Sequence, residues 1–292
     1  MIIFVYGTKL SSSILLFPIK LNRMILRLNT YIIVGLLAFC FSCSEKEQQP
    51  FSFVQLCDTQ LGMGGYEHDI MTFKQAVAQI NEINPDFAVI CGDLVHNASD
   101  SSYSDFLEIM QTLKVPCHVA PGNHDVGNVP NDTTLSYYRK TIGKDYFDFQ
   151  NKGYSFIVTN TQLWKVNVAD ESVKHNEWFE ETLGIQKAKK LPTFVIGHYP
   201  LFLENPEEEE EYFNIPPVKR KRILELFKSN NVVAYLSGHS HELVVNNYEN
   251  IQFVSGETTS KNFDKRPFGF RLWEVLSDTI QHHFVPLTRI MQ

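Results

Sequence analysis

The chain has 292 residues, of which 43% are hydrophobic and 13% aromatic, and this length suits one large domain or two small ones. The formal net charge is -7, and the basic residues are scattered except for a cluster at 219–222. Because a protein that binds a nucleic-acid backbone usually presents a basic face, this charge argues against nucleic acid as a stable partner.

The first 43 residues have the organisation of an export signal. An apolar run at residues 31–41 follows Arg23 and Arg27 and precedes small residues around Cys43. The run is about half as long as a membrane-spanning helix, which needs about 20 residues, so a secretory signal is favoured.

The junction FSC-SEKE resembles a bacterial lipoprotein processing site, in which Cys43 becomes the lipidated first residue. In this interpretation translation starts at Met24, residues 44–50 form a short polar linker, and one domain occupies residues 51–292. The resemblance implies an exported protein that is held at the cell envelope, on a membrane, through a lipid on Cys43. An uncleaved N-terminal anchor is the alternative.

From residue 51 onward, short apolar strands alternate with amphipathic helices. Strands are predicted at 51–57, 86–91, 115–120, 193–196 and 232–236, and helices at 69–84, 102–114, 175–190 and 217–230. A hairpin is predicted at 146–159, and closing strands at 251–254, 268–275 and 279–285. This alternation predicts an α/β fold with layered sheets and with helices on the outside.

Five of the predicted strands end in side chains that can bind a metal or a phosphate. The segments are DTQ at 58–60, GDLVH at 92–96, GNHD at 122–125, GHYP at 197–200 and GHSH at 238–241. In open α/β sheets, ligands bind at the carboxyl ends of the strands, and glycine lets the backbone approach a bound group closely. We therefore expect these segments to meet at one rim.

The rim offers nitrogen and oxygen donors without a thiolate. The candidates are Asp58, Gln60, Asp93, Asn123, His198, His239 and His241. This donor set suits Mn, Fe, Zn or Mg. One ion would not use so many donors, whereas two ions about 3.5–4 Å apart that share a carboxylate would.

Taken in order, the motifs D-x-[HQ], G-D-x-x-H, G-N-H-D, G-H and G-H-x-H resemble those of the calcineurin-like metallophosphoesterases over residues 58–241. The longer strings DTQLG, CGDLVHN and GNHDVGN are most similar to the branch of calcineurin-like phosphoesterase domain-containing proteins, whose first motif is D-P-Q. The resemblance implies a layered α/β/β/α sandwich and a dinuclear, metal-dependent hydrolase of phosphoester substrates.

The resemblance also implies roles for the rim residues. One metal would be held by Asp58, Gln60, Asp93 and His241, and a second by Asp93, Asn123, His198 and His239, with Asp93 as the bridge. His124 would face the scissile phosphoester, and Asp125 would orient His124. Gln60 departs from the broad family, where His is usual, and its neutral oxygen predicts weaker retention of one metal and a preference for Mn or Mg.

Three functions stay open at this point. The resemblance favours a phosphomonoesterase, with phosphoserine or phosphothreonine as candidate substrates. The alternatives are a phosphodiesterase of cyclic nucleotides or nucleotide derivatives, and a lipid-anchored protein that binds phosphate without turnover. Two smaller questions also stay open: whether His96 supports the site, and whether the acidic run at 207–211 lines its mouth or is only a solvated loop.

Overall fold

The described part of the chain, Gly7 and residues 49–288 of the computed structural model, contains two β-sheets. In chain order the strands are β1 (Phe51–Leu56), β2 (Phe87–Cys91), β3 (Cys117–Ala120), β4 (Phe147–Asn151), β5 (Tyr154–Val158), β6 (Thr193–Ile196), β7 (Val232–Ser237), β8 (Val244–Tyr248), β9 (Ile251–Ser255), β10 (Gly269–Val275) and β11 (Ile280–Pro286). One sheet has the order β11-β10-β1-β2-β3 and the other β4-β5-β6-β7-β9-β8.

Helices connect the strands. They are α1 (Tyr66–Ile83), α2 (Asp100–Met110), α3 (Asn123–Val126), α4 (Asp132–Thr141), α5 (Gln162–Lys165), α6 (Ala169–Ala188) and α7 (Pro217–Ser229). Apart from Gly7, the predicted signal, its Cys43 and residues 44–48 of the linker lie outside the described residues. Within the described residues, no helix has the length and hydrophobicity needed to span a membrane.

The two sheets pack face to face through an aromatic core. Phe53 of β1 stacks on Phe87 at 5.0 Å between ring centroids and on Trp273 at 5.7 Å, and it meets Phe156 of the other sheet edge-on at 5.5 Å. Because side chains alternate along a strand, the neighbouring Val54 faces the opposite side.

Helices cover both outer faces of the sandwich. On the first sheet, Val54 packs with apolar side chains of α1, α2 and α4, while α6 and α7 pack against the second sheet. The predicted α/β/β/α sandwich is therefore confirmed.

Parallel pairing sets where the functional segments lie. β1, β2 and β3 run parallel to one another in the first sheet, and β5, β6, β7 and β9 run parallel in the second. The loops after β1, β2 and β3 consequently leave the same edge of their sheet, and the loops after β6 and β7 leave one edge of theirs.

The predicted elements agree with the structure except at weakly patterned segments. The short helices α3 and α5, helix α4 and strand β8 are not predicted, and α6 begins at Ala169 rather than His175. Strand β8 has the sequence VVNNY, and its residues alternate between half-buried and exposed at the edge of the sheet. A short edge strand with two Asn residues carries too little apolar periodicity to be recognised from sequence.

Candidate metal centre

The loops that follow β1, β2, β6 and β7 bring five predicted ligands into one buried cluster. Donor atoms of Asp93, His198 and His239 lie within 4.8 Å of one another, and so do those of Asp58, Asp93 and His241. Asp93 belongs to both groups, which are therefore adjacent and joined through one carboxylate.

The remaining two candidates complete the cluster. The Oδ1 atom of Asn123 lies 3.0 Å from Nε2 of His198. The Nε2 atom of Gln60 donates to Oδ2 of Asp93 over 3.3 Å, and the buried Oε1 of Gln60 has no hydrogen-bond partner. The structure thus brings all seven predicted side chains together.

The backbone at the cluster has an uncommon conformation. Positive φ angles occur at Asp58 (49°), Gln60 (32°), Asp93 (50°), His239 (68°) and His241 (52°). A residue with a Cβ atom usually avoids this left-handed region, and each instance costs of order 1–3 kcal/mol. Residues with positive φ also occur elsewhere in the described chain, but five of them fall within this one cluster of donors.

Two motif glycines allow the close packing that the cluster needs. A Cβ atom on Gly122 would lie 2.0 Å from Oδ1 of Asp93, and one on Gly92 would lie 2.7 Å from Nδ1 of His198. Gly92 also has a φ of 80°. Glycine is therefore required at both positions for steric reasons.

Each of the three clustered histidines has one ring nitrogen near a main-chain carbonyl. Nδ1 of His198 donates to the carbonyl of Cys91 over 2.8 Å, and Nδ1 of His241 donates to the carbonyl of Lys261. Nε2 of His239 faces the carbonyl of Tyr212 at 3.4 Å. A carbonyl can only accept, so the proton is fixed on the outer nitrogen and the inner nitrogen keeps a lone pair, as in histidines that bind metals.

This arrangement leaves acceptors facing acceptors. Nε2 of His198 lies 3.0 Å from Oδ1 of Asn123, 3.4 Å from Oδ1 of Asp93 and 3.1 Å from Nδ1 of His239. With Nδ1 of His198 protonated, these contacts need a positive charge between them, either a proton or a cation. The buried Oε1 of Gln60 has no hydrogen-bond partner and likewise requires a donor or a cation beside it. The residues therefore fit divalent cations.

The pKa shifts express the same charge imbalance. Burial alone would lower the pKa of His198, but the Asp93 carboxylate, with Asp58, raises it to about 9. Burial opposes ionisation of Asp93 as well, yet His198, His124 and His239 hold its pKa below the ordinary value. Burial raises the pKa of Asp58. Nitrogen and oxygen donors that attract positive charge so strongly suit hard or borderline metal ions.

His124 lies beside the cluster, but Asp125 does not orient it. Nδ1 of His124 donates to the carbonyl of His96 over 2.8 Å, and the two imidazoles stack at 4.7 Å. The Asp125 carboxylate instead accepts from the main-chain nitrogens of Gly122 (2.7 Å) and Leu94 (3.1 Å). The predicted Asp125–His124 contact is wrong because the α3 turn directs the carboxylate toward the main chain of Gly122 and of Leu94, in the loop after β2. His96, left open by the sequence, is what holds the His124 ring.

The acidic run 207–211 begins a segment that reaches the cluster. Its Glu208 carboxylate turns inward, while the other four carboxylates are exposed. The segment continues to Tyr212, whose ring lies 5.1 Å from that of His239. The ring of Phe263 stacks on that of His241, with the ring centroids 4.9 Å apart. The string EYFN, which contains Tyr212, resembles the family branch, but the sequence assigned no role to Tyr212 or to Phe263 because neither belongs to a strand-end motif.

Fold and donor set together define a metal-dependent phosphoester hydrolase built on a layered α/β sandwich. The chain belongs to the calcineurin-like phosphoesterase family, whose profile matches residues 51–243. The family prediction is therefore confirmed.

Known proteins resemble the chain over most of its length. It is 31% identical over 277 residues to the serine/threonine-protein phosphatase CPPED1 of Mus musculus, covering 85% of this chain and 89% of that protein. It is 24% identical over 228 residues to a probable cyclic nucleotide phosphodiesterase of Vesicomyosocius okutanii subsp. Calyptogena okutanii, covering 73% and 88%. A solved dimetal phosphatase from Danio rerio shares the fold, with a TM-score of 0.63, 16% identity, and 80% and 95% coverage.

Proposed function

We propose that this metallophosphoesterase holds two divalent cations side by side at the strand ends and hydrolyses phosphomonoesters. The observation that carries the proposal is the position of Asp93, which belongs to both buried donor groups. One carboxylate shared by two ions is the usual design of a two-metal hydrolase.

The donor groups suggest how the ligands divide. Asp93, Asn123, His198 and His239 would hold one cation, and Asp58, Gln60, Asp93 and His241 would hold the other. Gln60 contributes a neutral oxygen where imidazole is the common alternative, as in the D-x-Q branch of the family. This oxygen favours Mn or Mg at the second position.

The protein's own residues orient the substrate and move the proton. Bound cations would stabilise charge on the phosphoryl group and lower the pKa of water. Nδ1 of His124 donates to the carbonyl of His96, so Nε2 is the nitrogen left for the substrate; when the ring is the imidazolium cation, Nε2 can give its proton to the leaving alkoxide and the ring returns to neutral imidazole. Asp125 acts indirectly, since its carboxylate ties together the main chain at Leu94 and Gly122 next to two ligands.

The substrate class is proposed from the relatives. CPPED1 from several vertebrates is named as a serine/threonine-protein phosphatase, and the chain is 30% or more identical to it. We therefore expect phosphoserine and phosphothreonine peptides to be hydrolysed. Phosphate release from matched peptides that carry phosphoserine, phosphothreonine or phosphotyrosine tests this expectation.

A phosphodiesterase is the second candidate. It is favoured by the similarity to the protein named as a probable cyclic nucleotide phosphodiesterase. Comparing 4-nitrophenyl phosphate with bis(4-nitrophenyl) phosphate, and adenosine monophosphate with cyclic AMP, separates the two activities. A larger kcat/KM on the diesters would replace the monoesterase proposal.

The decisive experiment changes the shared carboxylate. Asp93→Asn keeps the size of the side chain but removes its charge, so we expect the bound metal to fall from about two ions per chain to less than one, and hydrolysis to fall at least about a hundredfold. Asp278→Asn, at an exposed turn between β10 and β11, is the matched control. Metal retention together with wild-type turnover in Asp93→Asn would overturn the proposal.

We also propose, from the sequence around Cys43, that the mature protein is an exported lipoprotein. Cys43→Ser should abolish incorporation of labelled palmitate and release the protein from the membrane fraction. Continued palmitate labelling of the Cys43→Ser protein would contradict this assignment.

A further inference from the structure

An exposed aromatic ring lies against one histidine of each of the two donor groups that share Asp93. Tyr212 lies over His239, with ring centroids 5.1 Å apart and 54% of the tyrosine exposed. Phe263 stacks on His241, with centroids 4.9 Å apart and 43% of the ring exposed. Because His239 and His241 belong to the two groups that Asp93 joins, the rings lie on either half of one site.

Tyr212 contacts the metal centre through its main chain as well as through its ring. The carbonyl of the same residue faces Nε2 of His239.

The segment that presents Tyr212 is internally braced. Glu208 accepts hydrogen bonds from the main-chain nitrogens of Leu203 and Glu204, both at 2.8 Å, and from the Asn214 amide at 2.7 Å. The fully buried Arg220 donates to the carbonyls of residues 206, 208 and 215 at 2.6–3.1 Å. These bonds hold the tyrosine at a fixed place beside the site.

Phe263 is held from both sides as well. Its main-chain nitrogen donates to the carbonyl of His241 over 3.0 Å. The next residue, Asp264, accepts from the nitrogens of Leu243 (3.1 Å) and Arg266 (3.0 Å). Tyr212 and Phe263 thus place two exposed rings against the histidines of the metal centre, where a bound ligand could pack on them.

We propose that Tyr212 and Phe263 determine substrate specificity by gripping a flat aromatic or apolar group on the alcohol side of the phosphoester. This inference rests on the proposed function, since it assigns the part of the substrate that projects out of the metal centre. In an aryl ester the flat group is the leaving group itself. In a phosphoserine peptide it is a side chain next to the phosphorylated residue.

The test measures binding without turnover. Phenylphosphonate and methylphosphonate present the same phosphonate to the Mn-loaded protein but differ in the flat group. Their dissociation constants, measured by isothermal titration calorimetry, should favour phenylphosphonate in the wild type. Tyr212→Ala and Phe263→Ala should each reduce this preference by about two- to tenfold, the range of one aromatic contact.

Conservative variants and a distant control sharpen the result. Tyr212→Phe keeps the ring and should keep the preference. Leu276→Ala is the control, because this side chain is also exposed, at 40%. Leu276 follows Val275, which pairs with Phe51 at the start of β1, whereas the metal ligands follow the end of that strand. This variant should keep the wild-type preference.

The outcomes separate this inference from the proposed function. If the wild type hydrolyses phosphomonoesters but binds both phosphonates equally, or if both alanine variants keep the full preference, the inference is wrong and the proposed function stands. If the Mn-loaded wild type neither binds a phosphonate nor hydrolyses a phosphoester, both are wrong. The inference extends to peptide substrates if replacing an aromatic neighbour of phosphoserine with Ser lowers kcat/KM for the peptide in the wild type but not in the two alanine variants.

Discussion

The main-chain nitrogen of His124 donates a 2.9 Å hydrogen bond to Oδ1 of Asp93. The candidate proton donor and the carboxylate shared by both donor groups are therefore connected through the backbone, not through the imidazole. The other carboxylate oxygen, Oδ2, accepts from Gln60. This arrangement means that the side chain of His124 can be changed while the support of Asp93 stays in place.

His124→Gln should therefore separate catalysis from metal binding. We expect kcat on 4-nitrophenyl phosphate to fall by about 10²–10⁴, the usual contribution of a general acid, with bound metal unchanged. Steady-state kinetics and metal analysis by mass spectrometry check the two quantities. His283→Gln, on the exposed side of β11, is the matched control. Loss of a metal ion from His124→Gln would show that the imidazole is a ligand instead.

Gly122→Ala should disrupt the site through a single methyl group. The new Cβ would lie 2.0 Å from Oδ1 and 2.2 Å from the main-chain nitrogen of Asp93, and the backbone cannot yield without moving a ligand. We expect the free energy of unfolding to fall by about 1–3 kcal/mol, together with bound metal.

The control for that substitution is another glycine. Gly184 lies in α6, and a Cβ there would meet nothing within 4 Å. Gly184→Ala should raise the free energy of unfolding by about 0.5–1 kcal/mol, because alanine is the better helix former. Urea denaturation of both variants provides the comparison, and equal effects of the two substitutions would refute the steric argument.

Stability should fall in acid because of a buried histidine that is not one of the proposed metal ligands, His175. Burial, with Lys219 and Arg139, lowers the pKa of His175 to about 3, and its Nε2 is bonded to Oγ1 of Thr159 at 2.8 Å. The unfolded chain binds this proton below about pH 6.5, whereas the folded protein does not until about pH 3. The contribution of His175 is thus complete above pH 6.5 and is lost as the pH falls toward 3.

Replacing His175 should make the free energy of unfolding less dependent on pH in the acid range. In His175→Gln, the slope of unfolding free energy against pH between 6.5 and 4 should decrease by up to about 1.4 kcal/mol per pH unit, which is one proton. Urea unfolding at a series of pH values measures the slope. An unchanged slope would mean that the imidazole is protonated in the folded protein.

The buried guanidinium of Arg220 should be a large contributor to stability. Arg220→Met leaves the carbonyls of residues 206, 208 and 215 without their donors, and we expect a loss of about 3 kcal/mol in the free energy of unfolding. Arg222→Met, on the exposed side of the same helix, removes only a surface ion pair with Glu180 and should cost less than about 1 kcal/mol. Similar losses in the two variants would contradict this account.

The sequence predicts the rim because each candidate ligand directly follows an apolar strand. Asp58, Asp93 and His198 each come two residues after the end of β1, β2 and β6, so parallel pairing brings them to the sheet edges. This reasoning depends only on strand direction, which short apolar runs and intervening helices indicate well.

Contacts between distant loops could not be predicted in the same way. Phe263 reaches His241 through an irregular segment, and Tyr212 reaches His239 through a loop whose course depends on Glu208 and Arg220. Asp125 shows the converse error. The family resemblance implied a contact with His124 that the actual turn does not make, because the carboxylate accepts from the nitrogens of Leu94 and Gly122 instead.

The left-handed residues of the rim have a consequence for protein engineering. At Asp58, Asp93 and His239, among others, the side chain points inward only because φ is positive, a conformation that most scaffolds offer only to glycine. Transplanting the donors onto another sandwich at equivalent strand ends would therefore aim them away from each other. A successful graft must carry the turns themselves, so the transferable unit is a set of loop conformations and not a list of amino acids.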